Sequence, residues 1–398
     1  MTILQAIKRK YLVLKGDRIL WAMIIILMLF SLLVVFSATG KLAYNRFGGD
    51  TTAPLLKQVK MFLMALVAML FVQSWHYKYF ISLAKLTCWG AILLLGLALL
   101  STRINGAARW LEIPIVGLTI QPSEIAKLGL VMYMARVIAF EQRDGYCADT
   151  ALTKIAIYVV PMWGLVFWEN FSTSVLLALV CWALLFIGRL RRKTMLILVS
   201  SAACIATLFL VIILNTTALD DIARVTDIKE RLNNADSFQA DQTKIAIALG
   251  GLYGTGIGRS TQRDFLPYPV ADDIYAVIVE EYGLLIGGIP VLAIYLIILY
   301  RVGVIVRRCT RMFPALLVAG LGLTMVLQAL MHMLVCVGVF PVTGQPLPLV
   351  SMGGSSILFT GVAIGMIQSV AHTVSEAGKR EEQERQKRRG TVQSYEVE

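Results

Sequence analysis

Long apolar runs recur along the whole chain, and they constrain its fold more than any other feature. A run of about 18 to 25 residues crosses a hydrocarbon core roughly 30 Å thick as an α-helix. Because lipid offers the backbone no hydrogen bonds, repeated runs of this length predict a helical bundle and not a β-barrel. We therefore expect an all-α, polytopic integral membrane protein with about ten transmembrane helices. Their approximate limits are 19–38, 59–75, 81–100, 124–140, 154–168, 173–188, 195–215, 276–306, 313–340 and 355–371.

The composition excludes several other classes. Of the 398 residues, 58% are hydrophobic and only 16% are charged, which excludes a soluble globular domain. The six cysteines are scattered, and their spacing matches neither a metal site nor a disulfide framework. The formal net charge of +12 comes largely from basic residues beside the ends of the apolar runs. Such residues orient helices and attract anionic lipid, so we expect membrane lipids and no nucleic acid as partners.

Basic clusters indicate how the chain crosses the membrane. They occur before the first run, at 188–193 and at 307–311, which ten spans place on one side. By the positive-inside rule this side is the cytoplasm, and both termini lie there. Lys41, Arg46 and Lys57 are exceptions, because they fall on the outer side.

This topology divides the chain into three parts. We predict a cytoplasmic N-terminal tail at 1–18, a transmembrane domain at 19–372 and a charged cytoplasmic tail at 373–398. The longest external stretch is a loop at 216–275, between the seventh and eighth helices. Because a structureless loop of that length is rare unless it is functional, we expect this loop to contribute to a site.

Two pairs of carboxylates lie around the start of the eighth span. Asp272 and Asp273 precede the apolar run, and Glu280 and Glu281 lie inside it. Carboxylates are costly at membrane depth and usually line a cavity or a water path. One acid of the first pair would suit a helix N-terminus. A buried carboxyl of the second pair could serve as a general base or as a structural partner within the bundle.

Two further segments carry charge at defined spacing. In QPSEIAK at 121–127, Glu124 and Lys127 are three residues apart on one helix face, where they can pair. That pair either pins the helix or provides the floor of a cavity, with Lys127 meeting an anionic substrate group. The glycine-rich run at 250–258 is followed by Arg259 and Arg263. It is either a packing segment or a cradle for phosphate.

Five segments, in this order and spacing, resemble the SEDS family (shape, elongation, division and sporulation proteins). They are NGAARW at 105–110, QPSEIAK at 121–127, the glycine-rich run at 250–258, FLPYPVADDIYAVIVEEYG at 265–283 and PVTGQPLPLVSMGGSS at 341–356. The likeness covers about residues 15–372 and is closest to the family's cell-division branch. Two segments depart from the family pattern: YPVA at 268–271, and ENFSTS at 169–174, which lacks an aspartate.

The resemblance implies a peptidoglycan glycosyltransferase at the outer face of the cytoplasmic (inner) membrane. Such an enzyme polymerises lipid II, an undecaprenyl-pyrophosphate-linked disaccharide pentapeptide, into β-1,4-linked glycan strands during septal cell-wall synthesis. The implied partners are a class B penicillin-binding protein, which is a transpeptidase, and other division proteins. The family's essential aspartate aligns with Asp272, and its conserved glutamate and lysine align with Glu124 and Lys127. Asp273 falls where the family usually has Phe, which makes it the expected helix cap.

The implied chemistry is an inverting displacement. We expect Asp272 to act as the general base for the 4-hydroxyl of the acceptor sugar. A divalent cation, Mg²⁺ or Mn²⁺, held by Asp272 could assist the pyrophosphate leaving group. Candidates for binding the substrate and its pyrophosphate are Arg109, Glu124, Lys127, Arg259, Arg263, Ser355 and Ser356.

Two rival functions fit the same sequence. A lipid II flippase, which moves the substrate without glycosyl transfer, would also use intramembrane charges and a polar cavity. A scaffold that only recruits a transpeptidase would not need Asp272 at all. Assays for glycan polymer and for lipid translocation distinguish these alternatives.

Overall fold

In a computed structural model, the chain forms a bundle of long helices with two short β-hairpins. The structure describes residues 14–39, 52–100, 111–113, 118–143, 145–215, 238–266, 269–341 and 343–395. The α-helices of this part are α1 (Arg18–Ala38), α2 (Thr52–Val72), α3 (Lys78–Leu100), α4 (Pro122–Phe140), α5 (Thr150–Glu169), α6 (Phe171–Ile187), α7 (Arg192–Asn215), α8 (Phe238–Gly250), α9 (Ile274–Gly283), α10 (Ile289–Arg308), α11 (Met312–Cys336) and α12 (Gly354–Tyr395).

The strands form two antiparallel hairpins beside these helices. In the first, β1 (Leu111–Ile113) pairs with β2 (Leu118–Ile120), and Glu112 lies opposite Thr119. In the second, β3 (Gln142–Arg143) pairs with β4 (Tyr146–Cys147). Both hairpins adjoin α4, one before its first residue and one after its last, so they delimit that helix at its two ends.

Each of the ten predicted spans coincides with helical structure, which confirms the helical, multi-pass character of the chain. Seven helical stretches of the described residues are long and apolar enough to cross a membrane: Arg18–Ala38, Thr52–Val72, Lys78–Leu100, Thr150–Glu169, Ile274–Arg308, Met312–Cys336 and Gly354–Arg380. The helices α4, α6 and α7 fall outside this set. The count of ten transmembrane helices therefore stays a prediction.

The eighth predicted span, 276–306, is not one straight helix. Gly283 has φ +79°, which ends α9, and a short π-helical turn (Leu284–Gly288) leads into α10. A Cβ built on Gly287 would lie 2.9 Å from the carbonyl oxygen of Ile278, nine residues earlier. Residues so far apart in sequence would be separated by more than 13 Å along a single helix. The chain therefore folds back at Gly283, where glycine tolerates the positive φ.

Parts of the predicted external loop and of the C-terminal tail are helical. Within 216–275, residues 238–250 form α8 and Gln262–Asp264 form a 3₁₀ turn, while 216–237 lie outside the described residues. The charged tail from 373 continues α12 as far as Tyr395.

Two helices form the centre of the bundle. Within the membrane-crossing windows, 72% of α11 and 61% of α12 is buried, against 22–39% for the other five. In α4 as well, most residues are buried on every side. A helix surrounded by protein needs no continuous lipid-facing stripe, which is why α4 can hold charged side chains.

Small residues bring α12 close to α2. Gly361 and Gly365 are four residues apart on one face of α12. A Cβ at Gly361 would lie 2.9 Å from the carbonyl oxygen of Ala65, and one at Gly365 would lie 2.9 Å from the Cβ of Val72. This is the small-xxx-small arrangement through which membrane helices approach backbone to backbone.

Replacing Gly365 with Ala should therefore lower stability, by about 1–3 kcal/mol if the helices separate to relieve the overlap. The matched control is Gly96→Ala in α3, where an added Cβ meets nothing within 4 Å. That control should be neutral or slightly stabilising, because alanine restricts the unfolded chain. Thermal unfolding of both purified variants in the same detergent measures the difference. Equal midpoints would contradict the close approach of α2 and α12.

A polar network fastens one end of the bundle. Asp17 caps α1 by accepting from the backbone N–H of Leu20 at 2.9 Å, and its carboxylate pairs with Arg301 of α10. The backbone N–H of Asp17 donates to Oε1 of Gln368 in α12 at 2.7 Å. Burial opposes ionisation of Asp17, but the bonds from Arg301 and Leu20 outweigh it and hold the pKa of that carboxyl below its usual value. The helices α1, α10 and α12 are thus joined at the start of α1. Ser37 lies at the opposite end of that helix.

Candidate functional site

The segment 343–353, between α11 and α12, is irregular backbone buried inside the bundle. Its Met352 N–H donates to the carbonyl of Val270 at 2.8 Å. Its Ser351 hydroxyl donates to the carbonyl of Ala271 at 2.6 Å. Leu349 is buried and has φ +63°, an uncommon conformation for a residue with a branched side chain. Non-helical, strained backbone at such depth is typical of a functional site.

Asp272 lies against this segment, one residue after its contact at Ala271. Asp272 as a whole residue is partly exposed. Its Oδ2 lies 3.6 Å from the position that a Cβ on Gly344 would occupy. Gly344 has φ +61°, so glycine meets both the backbone geometry and the space beside the carboxylate. The structure therefore places Asp272 at an accessible position with a closely fitted backbone on one side.

Asp273 differs from Asp272 in its burial and in its hydrogen-bond partner. It is buried and stands at the N-cap position of α9, as predicted. Its side chain makes no capping hydrogen bond, so that part of the prediction is wrong. Both carboxylate oxygens instead accept from the Gln239 amide of α8, at 2.9 Å each. Asp273 thus joins α8 to the start of α9.

Burial raises the pKa of Asp273 to about 7, and the charge of Asp272 adds to the rise, while the bond from Gln239 opposes it. An acid with a raised folded-state pKa contributes stability below its unfolded pKa and loses it as pH rises through the folded value. We therefore expect Asp273→Asn to gain thermal stability over the wild type as pH rises from about 5 to about 8. Unfolding midpoints measured across that range test this, and a difference that does not vary with pH would contradict it.

The predicted pair of Glu124 and Lys127 forms inside the bundle. The ammonium of Lys127 lies 2.9 Å from the carboxylate of Glu124 and 2.8 Å from Oε1 of Gln328 in α11. The Gln328 amide in turn donates to the carbonyl of Pro346 at 2.9 Å. All three side chains that carry this network are buried. The pair therefore fixes α4 against α11 and the 343–353 segment.

A small cavity adjoins this ion pair. Its volume is about 30 Å³, which accommodates roughly one or two water molecules. The polar residues lining it are Glu124, Lys127, Thr324, Gln328 and Thr360. A charged cavity wall of this kind is compatible with the predicted floor of a substrate site.

Asp272 and the ion pair approach the same short segment. Asp272 faces Gly344, and the network of Lys127 reaches Pro346 through Gln328. Two residues span at most about 7 Å of chain. The structure therefore brings the predicted base and the predicted charged pair to neighbouring positions of one backbone.

The glycine-rich run packs against α9 and does not form an open cradle. The N–H groups of Thr255 and Gly256 donate to the carbonyls of Glu280 and Glu281, at 2.8 and 3.0 Å. A Cβ at Gly254 would lie 2.3 Å from the Glu281 carbonyl oxygen. Because these amides bind protein, they are not available to a phosphate. The structure thus favours the packing interpretation of this run.

The second acidic pair fixes the rest of this loop, as the structural interpretation predicts. The carboxylate of Glu280 accepts from the N–H of Thr261 at 2.8 Å and from the hydroxyl of Ser260. The carboxylate of Glu281 accepts from the Ser37 hydroxyl at 2.7 Å and lies 3.7 Å from Nη1 of Arg263.

The two arginines that follow the glycine-rich run differ in accessibility. Arg263 donates to the carbonyl of Ser37 at 2.6 Å, so its guanidinium is largely engaged with protein. Arg259 is exposed. Arg259 is therefore the better placed of the two to meet a pyrophosphate. Arg109, the remaining arginine candidate, lies outside the described residues.

The two serine candidates are buried near the start of α12. The hydroxyl of Ser355 accepts from the backbone N–H of Gln121 at 3.2 Å, which ties α12 to the start of α4. Ser356 is buried beside it. Ser355 thus has an observed structural contact, and its binding role stays a prediction.

Sequence reasoning missed several residues that contact Asp272, Asp273 or the 343–353 segment. His332 and Cys336 of α11, Gln345 of the 343–353 segment and Gln239 of α8 all contact the backbone or side chains described above. In the sequence, His332 stands far from the other two histidines. Its spacing of four from Cys336, which puts both on one helix face, was the only local signal.

Known proteins that resemble this chain in sequence belong to one family of membrane proteins. A family model described as "Cell cycle protein" (FTSW_RODA_SPOVE) matches residues 17–376. The chain is 28% identical over 378 residues to a probable peptidoglycan glycosyltransferase FtsW from Trichlorobacter lovleyi, covering 92% of this chain and 96% of that protein. It is also 28% identical over 362 residues to the peptidoglycan glycosyltransferase MrdB of Escherichia coli strain K12, covering 90% and 93%.

Solved structures share the fold. A chain from a peptidoglycan synthase complex matches with a TM-score of 0.70 at 22% identity, covering 90% of this chain and 98% of that one.

Proposed function

The chain belongs to the FtsW/RodA/SpoVE family of cell cycle proteins, and from this membership we propose that it is a peptidoglycan glycosyltransferase acting in septal cell-wall synthesis. Its relatives are named as FtsW and MrdB glycosyltransferases, and the family match spans nearly the whole chain. The substrate would be lipid II, and the product would be a β-1,4-linked glycan strand. The observation that supports the assignment is the position of Asp272, a partly exposed residue whose Oδ2 lies 3.6 Å from where a Cβ on Gly344 would be.

In the proposed reaction, the 4-hydroxyl oxygen of the acceptor sugar attacks the anomeric carbon of the donor. A new C–O bond forms as the bond from that carbon to the polyprenyl pyrophosphate breaks, with inversion from α to β. The hydroxyl proton passes to Asp272. A positioned general base contributes about 10²- to 10⁴-fold in rate. Asp272 suits this role better than Asp273 because Asp272 is partly exposed, whereas Asp273 is buried.

The leaving pyrophosphate needs positive charge. We assign Arg259 to this task among the described arginines, because it is exposed beside the glycine-rich run. Lys127 carries a second positive charge, but it is paired with Glu124. Lys127 would therefore make the cavity wall polar without directly neutralising the pyrophosphate. Arg109 is a third candidate on the grounds of its motif alone.

A divalent cation, Mg²⁺ or Mn²⁺, would bind Asp272 only together with the substrate. Among the residues described by the structure, no group of three or more His, Cys, Asp and Glu side chains is arranged to hold a metal. Mg²⁺ commonly uses one or two carboxylates plus substrate phosphates, which Asp272 and a pyrophosphate would supply. Such an ion would neutralise charge on the leaving group, and we assign no step to a resident metal.

We further propose that the protein lies in the cytoplasmic (inner) membrane with both termini in the cytoplasm. The basic C-terminal end of α10, with Arg307 and Arg308, lies at the same end of the bundle as the start of α1, where Asp17 pairs with Arg301. Ser37, at the other end of α1, contacts Glu281 of α9, the helix that follows Asp272. The positive-inside rule would then place Asp272 at the outer face. A class B penicillin-binding protein and other division proteins would be its partners there.

Purified protein in liposomes containing lipid II tests the proposed activity against the flippase alternative. We expect β-1,4-linked polymer and released polyprenyl pyrophosphate, with the yield compared in the presence and absence of the cognate transpeptidase. Translocation of labelled lipid II without any polymer under both conditions would contradict the proposal and support the flippase.

A further inference from the structure

Helix α11 carries two buried side chains for which the proposed reaction gives no role. His332 and Cys336 are four residues apart on one face of the helix, and each is at most 1% exposed. Their ring nitrogen and sulfur lie 3.7 Å from each other. Buried polar groups usually have hydrogen-bond partners, and here these are the carbonyl of Gln345 for His332 and the carbonyl of Asp272 for Cys336.

His332 holds the 343–353 segment. Its Nδ1 lies 2.7 Å from the carbonyl oxygen of Gln345. Because a carbonyl oxygen only accepts, Nδ1 must carry the hydrogen of this bond. Gln345 directly follows Gly344, the residue against which the Asp272 carboxylate lies. The Gln345 amide also donates to the hydroxyl of Thr173 in α6 at 3.0 Å, so this backbone is fixed from two sides.

Cys336 lies one helical turn further, against the other chain segment. Its Sγ is 3.9 Å from the backbone carbonyl oxygen of Asp272. A thiol has a single hydrogen, so at any moment it bonds either this carbonyl or Nε2 of His332. Both groups are nevertheless held in contact. One turn of α11 therefore touches the backbone of Asp272 and the backbone that faces its carboxylate.

From these contacts we propose that His332 is a positioning residue for Asp272, with Cys336 supporting it. The inference rests on the proposed function of Asp272 as the base. His332 sets the position of the Gly344–Gln345 backbone, and that backbone limits where the Asp272 carboxylate can lie. A shift of about 1 Å in a catalytic group can cost roughly 10²-fold in rate, so the tether would act on turnover.

The imidazole has two nitrogens, and substitutions can separate their roles. The amide nitrogen of Asn is placed like Nδ1, so His332→Asn retains a donor for Gln345 and loses the nitrogen facing Cys336. The amide of Gln reaches the place of Nε2, so His332→Gln retains only the second contact. His332→Leu removes both contacts and introduces an apolar side chain of similar bulk. The proposal predicts that Asn rescues and that Gln and Leu do not.

The test compares these variants as purified full-length protein in lipid, with the wild type beside them. For His332→Leu and His332→Gln we expect kcat for lipid II polymerisation to fall by about 10²-fold, with KM little changed. For His332→Asn we expect a rate close to the wild type. If the wild type itself makes no polymer, the result contradicts the proposed function. The positioning role of His332 is then tested by hydrogen exchange.

Hydrogen exchange of the backbone gives a readout that does not depend on activity. In His332→Leu, the amides of Thr343, Gly344, Gln345 and Leu347 should exchange faster than in the wild type, whereas His332→Asn should keep their protection. Exchange that is unchanged in His332→Leu would overturn the proposal whatever the activity assay shows. Equal losses of rate in the Asn and Leu variants would also overturn it, because the Nδ1 bond would then not be the contact that matters.

Discussion

Replacing Lys127 with Met should destabilise the protein by about 3–5 kcal/mol, because it would leave the buried carboxylate of Glu124 without its cation. Both side chains of the pair are under 10% exposed, and the Lys127 ammonium also donates to Gln328. Methionine fills the volume of the lysine stem but supplies no hydrogen bond. The loss would be measured as a fall in the midpoint of thermal or denaturant unfolding.

The double variant Glu124→Gln with Lys127→Met is the matched control. It removes both charges together, so no isolated charge remains in the interior, and replacing a whole buried pair is often close to neutral. We expect it to recover most of the stability that the single variant loses. A single variant that is as stable as the double variant would show that the pair is not buried as described.

Replacing Asp272 with Asn should reduce the rate of lipid II polymerisation by about 10²- to 10⁴-fold. This corresponds to roughly 3–5 kcal/mol of transition-state stabilisation. The amide keeps the size of the side chain and cannot accept the proton of the acceptor hydroxyl. Because Asp272 is partly exposed, the unfolding midpoint should change little. Single-turnover rates together with lipid II binding would show whether the chemical step alone is lost.

Asp273→Asn is the control for this variant at the adjacent position. Its carboxylate is buried and bonded to Gln239, so it is not placed to take a proton from a substrate. It should keep most of the activity. If Asp273→Asn loses as much activity as Asp272→Asn, the division of roles between the two neighbours is wrong.

The helices could be predicted from the sequence because apolar length is a property of a single segment. The ten predicted spans all fall on helices for this reason. The fold-back at Gly283 could not be predicted in the same way. An apolar run of 31 residues gives no sign that one glycine in it takes φ +79°. The close approach of Gly287 to Ile278, which requires that turn, exists only in the folded chain.

The candidate site was predictable only in part, because some of its contacts are local in sequence and others join distant segments. Glu124 and Lys127 pair within one helical turn, so their spacing was sufficient. Asp273 does not cap α9 because its partner, Gln239, comes from a helix 34 residues earlier in sequence. The glycine-rich run likewise donates its amides to Glu280 and Glu281. Each of these contacts depends on tertiary structure that composition and spacing do not contain.

The central claim is that Asp272 carries glycosyl transfer in this protein. The most direct measurement is the amount of β-1,4-linked polymer formed from lipid II by wild type, Asp272→Ala and Asp273→Asn, at equal amounts of folded protein and with the cognate transpeptidase present. We predict polymer from the wild type and from Asp273→Asn, and none from Asp272→Ala. Polymer from Asp272→Ala at the wild-type rate would contradict the claim.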